Sequence, residues 1–415
     1  MDVITSKDHK KAIHYLLSTT VIVAALGYFV DIYDLLLFGI VRLPSLTELG
    51  LNEQARSIQG ASILNWQMSG LLLGGIIWGI LGDKKGRLSV LFGSIITYSI
   101  ANIACGFVHD VALYKLFRFI AGIGLAGELG AGITLVSESL PQRLRAIGTS
   151  VVAGVGLLGA VAGYFTVELF SWRNAYFIGG GLGVLLLCLR VGVFESGMFQ
   201  SLKKNEQVKK GHFLSFLSDK NNLKLYLKCI GIGLPTWYVI GILATFSNEF
   251  GKALHITTPI KPGLAVMWCY IGLAAGDLIS GIISYYLESR RKAVALLMSF
   301  TLIGSIVYLY AGITTPTELY LMCLWLGFGI GYWAMFVTIG AEQFGTNVRA
   351  TAATTIPNMV RGTVVGMTTL YAALKPMVFE LNAAAIVGVI CFAIGFYSIL
   401  TIPETHHKDL DFIQE

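Results

Sequence analysis

Long apolar runs separated by short polar breaks dominate the chain. Twelve can be read along it, at roughly residues 16–40, 59–81, 88–108, 112–137, 147–168, 175–193, 224–247, 262–286, 293–313, 318–340, 351–373 and 383–402. An α-helix rising about 1.5 Å per residue needs about 20 apolar residues to cross a hydrocarbon core of about 30 Å, and these runs meet that length. Within lipid an unpaired backbone group has no water to bond, so only helices and closed barrels span it. Barrel strands are tilted segments of about 10 residues with alternating polarity, and runs this long and uniform are not strands. The pattern predicts an all-α membrane protein with twelve transmembrane helices.

Composition agrees, since 55% of the 415 residues are apolar and 13% charged, and the mean hydropathy is +0.71. The placement of Lys and Arg adds orientation. With both termini cytoplasmic, the inner loops receive Lys7, Lys10, Lys84, Lys85, Arg143, Lys203, Lys209, Arg290 and Lys292 among others, and the outer loops few, a bias of about three to one. The net charge of +6 is thereby a matter of topology, and no nucleic-acid partner is expected. The expected partners are the lipid bilayer and a small molecule, the expected assembly a monomer, and the expected location a cell inner membrane crossed many times. The polar opening MDVITSKDHKKAIHY runs into an apolar stretch too long for a signal-peptide core, so the first helix is expected to direct insertion. Six scattered cysteines without CxxC spacing, and no phosphate-binding loop or GxSxG elbow, lead us to expect no metal, no cofactor beyond a coupling proton, and no enzyme.

The apolar runs stop over residues 196–223, where SLKKNEQVKKGHFLSFLSDKNN supplies polar, mostly basic residues. This cytoplasmic linker divides the chain into six-helix halves, 1–195 and 224–415. Compared with itself at an offset of about 205 residues, the chain repeats: ESLPQRLRA (138–146) against EQFGTNVRA (342–350), GGIIWGILGDKKGR (74–87) against GDLISGIISYYLES (276–289), and FES (194–196) against PET (403–405). Parallel six-helix repeats are the plan of transporters that rock one half against the other around a midplane site.

The segment GILGDKKGR (79–87) resembles the loop signature between helices two and three of the major facilitator superfamily, and RFIAGIGLAGE (118–128) resembles its fourth-helix signature. ESLPQRLR and the closing PET resemble the sugar porter and metabolite:proton symporter branches. The paired aspartates of VDIYDL (30–35) are similar to those of the aromatic acid:proton symporters. Lys84 stands where the family's loop carries Arg, which keeps the charge and loses the bidentate fork. In the second-half loop Tyr285 replaces Asp83 of the first. The resemblance implies a secondary transporter working by alternating access. Three readings stand beside symport of a small carboxylate-bearing metabolite: drug or metabolite antiport, sugar or polyol symport, and a transporter-like sensor. A glycine-rich fifth helix without proline leans toward import.

Ionisable groups within a span cost at least about 2.5 kcal/mol at the bilayer centre, so each needs a reason. Asp31 and Asp34, spaced i, i+3, share a face of the first helix, and Arg118 on the fourth lies at similar depth, so a contact between Arg118 and one of the aspartates is expected. With Glu128, near the midplane, these residues are candidates for proton coupling, with static helix pairing as the alternative. Arg361 lies about 11 residues into helix eleven, one turn beyond Pro357. Its permanently charged planar fork suits a carboxylate, so the substrate is expected to be an anion or a zwitterion. The resemblance to aromatic acid symporters supports that role for Arg361, and pairing with Glu128 is the alternative. Gln67, Trp237, Tyr238, Tyr332, Trp333 and Asn358 are candidates to line the same site. Asp277 reads as a gate or helix-end contact. Asp83 with Arg87, Glu138 with Arg145, and Glu342 with Arg349 are candidates for gating at cytoplasmic helix ends.

Overall fold

The computed structural model describes residues 18–85, 87–128, 145–195, 219–345 and 349–406. Every element among them is a helix. The first group is α1 (Thr19–Glu48), α2 (Glu53–Lys85), α3 (Arg87–Gly106), α4 (Val111–Leu125), α5 (Arg145–Leu169) and α6 (Trp172–Glu195). The second is α7 (Lys220–Tyr238), α8 (Ser247–Ala253), α9 (Pro262–Leu287), α10 (Arg290–Tyr310), α11 (Pro316–Gly329), α12 (Trp333–Glu342) and α13 (Arg349–Thr401).

Local chemistry places the breaks. Asp110 caps α4 by accepting from the Leu113 N–H at 2.9 Å, and Thr315 with Glu318 forms a reciprocal capping box ahead of Pro316 at the start of α11. Helix α9 closes on Glu288 in the left-handed region, φ 47°. Helix α7 loosens into a π-helical stretch over Val239–Ala244, where each carbonyl bonds one residue further on. Helix α13 covers 53 residues but turns sharply at Phe379, φ 64° and ψ 170°, so it is two segments end to end.

Each of the twelve apolar runs falls mostly on helix where it lies within the described residues, and the run at 318–340 is broken over 330–332 between α11 and α12. Nine segments among those residues are long and apolar enough to cross a membrane by length and composition, and the segment Thr351–Thr401 alone is 51 residues long. The run expected to end at 137 leaves the described residues after 128, as does the linker over 196–218. The sense of burial fits lipid as the solvent: Ile100, Leu158, Val389 and Leu400 face outward while Asp31, Asp34, Arg118 and Arg361 are enclosed.

In the first group α1 packs on α5, α2 on α4 and α3 on α6; in the second α7 packs on α13, α9 on α11 and α10 on α13. Glycines permit the same close approach in both. A side chain at Gly122 of α4 would strike the Gln67 carbonyl of α2, and one at Gly272 of α9 would strike the Leu324 carbonyl of α11. The groups meet along two seams, α2 against α13 and α5 with α1 against α9.

Candidate functional site

Arg361, Asn358 and Pro357 sit on α13 where it faces α2. Pro357 removes a backbone donor there, and the Asn358 amide supplies one, donating to the Thr354 carbonyl at 3.0 Å and across the seam to the Ala126 carbonyl at 2.8 Å. Its Oδ1 accepts from Arg361 Nη1 at 3.3 Å. The Arg361 guanidinium is 5.9 Å from the ring centres of both Trp237 on α7 and Trp333 at the start of α12. Arg361 is 1% exposed, its Nε meets no acceptor, and among the described residues no carboxylate lies within ion-pairing distance of it. Asp31 on α1 is also fully enclosed and neither of its oxygens accepts a hydrogen bond. It feels the charges of Arg361, Glu128 and Arg190. The site therefore joins a cation and a carboxylate from the two helix groups, neither in a direct ion pair among the described residues, beside two indoles.

Arg118 does not reach an aspartate carboxylate as expected: it meets Asp34 at the backbone carbonyl, and none of the four aspartate oxygens accepts a hydrogen bond. Arg118 Nη2 donates to the Asp34 carbonyl at 3.1 Å, Nη1 to Asn102 Oδ1 at 2.8 Å and Nε to Gln67 Oε1 at 3.3 Å. The Gln67 amide also donates to the Leu35 carbonyl at 2.8 Å. Gln67 thus braces α1 against α4, apart from the Trp237–Trp333 cage. The two aspartates, read as one pair, divide between neighbours. Asp34 lies over Gly179 of α6, whose Cβ would strike its Oδ1, while Asp31 sits in the field of Arg361. A carboxylate three residues further on is offset by about 60° round the helix axis and about 4.5 Å along it, which suffices for a different neighbour.

Glu128, three residues beyond the end of α4, forms a buried two-pronged ion pair with Arg190 of α6. Gly27 of α1 lies against the pair, for a Cβ there would strike Arg190 Nη2 and come within 2.6 Å of Glu128 Oε1. Arg190 was missed in the sequence, where it stands in VLLLCLRVGVF near a helix end and reads as a loop-facing basic residue. Asp277 is a helix-end contact: its Oδ1 accepts from the Ala334 N–H at 3.1 Å, capping α12 where the chain breaks after α11. Tyr238 turns away from the cage and donates to the Ala384 carbonyl at 3.0 Å. Tyr332 donates to the Ile232 carbonyl at 3.3 Å, behind Trp333.

At one end of the bundle a second unpredicted cluster ties the helix groups together. Arg42 of α1, fully enclosed, donates to the Thr245 carbonyl at 2.9 Å and to Asn248 Oδ1 at 2.8 Å, lies 4.5 Å from the Phe246 ring centre and 4.0 Å from Glu249 Oε1. Glu249 accepts from Ser57 Oγ at 2.7 Å and Lys375 Nζ at 2.8 Å. Exposed pairs Lys252–Glu53 and Lys261–Glu168 flank it. At the opposite end Glu342 pairs with Arg290 at 2.7 Å. Glu404 of the PET segment accepts from Ser289 Oγ and the Arg290 N–H. Partial burial works against its charge, yet these bonds and the Thr405 N–H hold its carboxyl below the usual range. The side chains of Asp83, Arg87, Glu138, Arg145 and Arg349 lie outside the described residues.

Charged residues held inside an apolar helical bundle, and shared between two helix groups, are an arrangement that suits a membrane transport protein. The chain belongs to the Major Facilitator Superfamily, whose family model matches residues 15–374. A protein of Haemophilus influenzae named for metabolite transport is 29% identical, covering 94% of this chain and 96% of that one. A gentisate transporter of Corynebacterium glutamicum is 25% identical over 78% of this chain and 73% of its own length. A benzoate transport protein of Acinetobacter baylyi is 25% identical over 80% and 78% respectively.

Proposed function

We propose that this protein is a proton-coupled symporter that imports a small organic acid by alternating access. It would cross the cell inner membrane twelve times as two six-helix halves, 1–195 and 224–415, with both termini cytoplasmic. The observation that carries the reading is Arg361: an enclosed guanidinium with a free Nε, no carboxylate partner among the described residues, and two indoles beside it in edge-to-face contact with each other. A buried cation left without a counter-ion is costly, and a ligand carboxylate removes that cost. Flat indoles at 5.9 Å suit a planar acid, and relatives named for gentisate and benzoate point to the same chemistry. A drug antiporter would favour an acidic cavity, which the central arginine opposes.

Protons enter through Asp31 and Asp34, with Arg118 and Glu128 setting the charge around them. Arg42 with Glu249, and Glu342 with its neighbours at the other end, serve as the alternating closures. The test is a thermal-shift titration of purified protein with benzoate, gentisate, a neutral sugar and a cationic drug, repeated on Arg361→Ala. Stabilisation of the wild type alone by the acids is expected. Equal stabilisation of both proteins, or stabilisation by the sugar or drug instead, would overturn the reading.

A further inference from the structure

The middle of the bundle encloses six charged side chains among the described residues, and they balance: Arg118, Arg190 and Arg361 against Asp31, Asp34 and Glu128. The remaining enclosed charges stand at the two ends, Arg42 with Glu249 and Glu342 with Arg290, and Asp277 is answered by the N-terminus of α12. One of the three central carboxylates is held by a direct ion pair. Glu128 is held by both prongs of Arg190, with Gly27 of α1 closing over them. Asp34 is met by Arg118 at its backbone carbonyl, 3.1 Å away, while its carboxylate oxygens accept no hydrogen bond. Asp31 and Arg361, one from each helix group, are both enclosed with unbonded polar atoms, and of the two unbonded aspartates it is Asp31 that lies in the field of Arg361.

From this balance we infer that the transporter is electroneutral, carrying one proton on Asp31 for each substrate carboxylate bound by Arg361. This inference rests on the proposed symport function. An enclosed cluster tolerates an unbalanced charge poorly. When the site is empty, ionised Asp31 answers Arg361 across the seam. When a monoanionic acid takes Arg361, the cluster carries one negative charge too many, and a single proton on Asp31 removes it. Substrate and proton leave together and restore the starting balance. Arg190 acts as a positioning residue: by occupying Glu128 it takes that carboxylate out of the exchange.

The experiment uses the full chain in proteoliposomes, with radiolabelled benzoate as the probe and potassium with valinomycin to set the voltage. Uptake is expected to follow an imposed pH gradient and to be unaffected by a potential of either sign. Acceleration by an inside-negative potential would mean more than one proton per acid, retardation would mean fewer, and either overturns the inference while leaving symport intact. In Asp31→Asn the loaded cluster is neutral without a proton, so uptake should lose its response to the pH gradient and become slowed by an inside-negative potential. A merely structural role for Asp31 would lower the rate and leave voltage without effect. Failure of the wild type to take up benzoate and gentisate under any gradient would overturn the symport reading and this inference together.

Discussion

Gly27 of α1 packs directly on the ion pair formed by Arg190 of α6 and Glu128 just after α4. Three helices converge on one buried charge pair, and the first of them carries Asp31 one turn further along. The absence of a side chain at position 27 lets the pair sit flush with the helix that bears the candidate proton site.

The pair should be costly to break from one side. Arg190→Ala or Glu128→Ala leaves an enclosed charge unanswered, and a loss of about 3–5 kcal/mol is expected. The joint replacement Arg190→Leu with Glu128→Leu should cost far less, since no lone charge remains. Melting temperatures of the three proteins in one detergent check this, and equal losses in all three would show that packing dominates the pair.

Gly27→Ala keeps every charge and adds one methyl where no room exists. A loss of about 1–3 kcal/mol is expected from overpacking, with Arg190 pushed off α1. A variant as stable as the wild type would show that Arg190 can swing aside freely.

The two indoles should favour aromatic acids. Trp237→Ala or Trp333→Ala is expected to weaken benzoate binding by about 1 kcal/mol, roughly fivefold in Kd, and to change the binding of a short aliphatic acid less. Calorimetric titration separates the two ligands. Equal losses for both would mean that the tryptophans shape the pocket without reading the ring.

Glu249 accepts from Ser57 and Lys375 and lies beside Arg42, so it gathers both helix groups at one end. Glu249→Gln should loosen that end by about 1–3 kcal/mol, because a charged acceptor is lost while enclosed Arg42 stays charged. Faster maleimide labelling of an Asn65→Cys probe on a cysteine-free background is the expected sign. Asn65 meets Thr368 across the same seam, and an unchanged rate would place the closure elsewhere.

The length of the apolar runs settled the helical class, because lipid leaves a backbone no other way to bond itself. The run at 351–402 reads as two crossings from its polar break, and the turn at Phe379 lies in that break. Arg361 and Asp31 were visible for the same reason, since a charge inside an apolar run stands out against its neighbours. Asp277, read as a gate or helix-end contact, caps α12. What no single run could reveal was partnership. Arg190 and Arg42 lie near the ends of their runs, where a basic residue ordinarily reaches for water. Only the convergence of α1, α4 and α6 turns Arg190 inward onto Glu128, and only the meeting of α1 with the chain after α7 encloses Arg42. The sequence alone determines how each segment meets the lipid, because that depends on residues close together along the chain. Pairing depends on residues 62 apart for Arg190 and Glu128 and 203 apart for Arg42 and Thr245, and distances of that kind are set by tertiary packing.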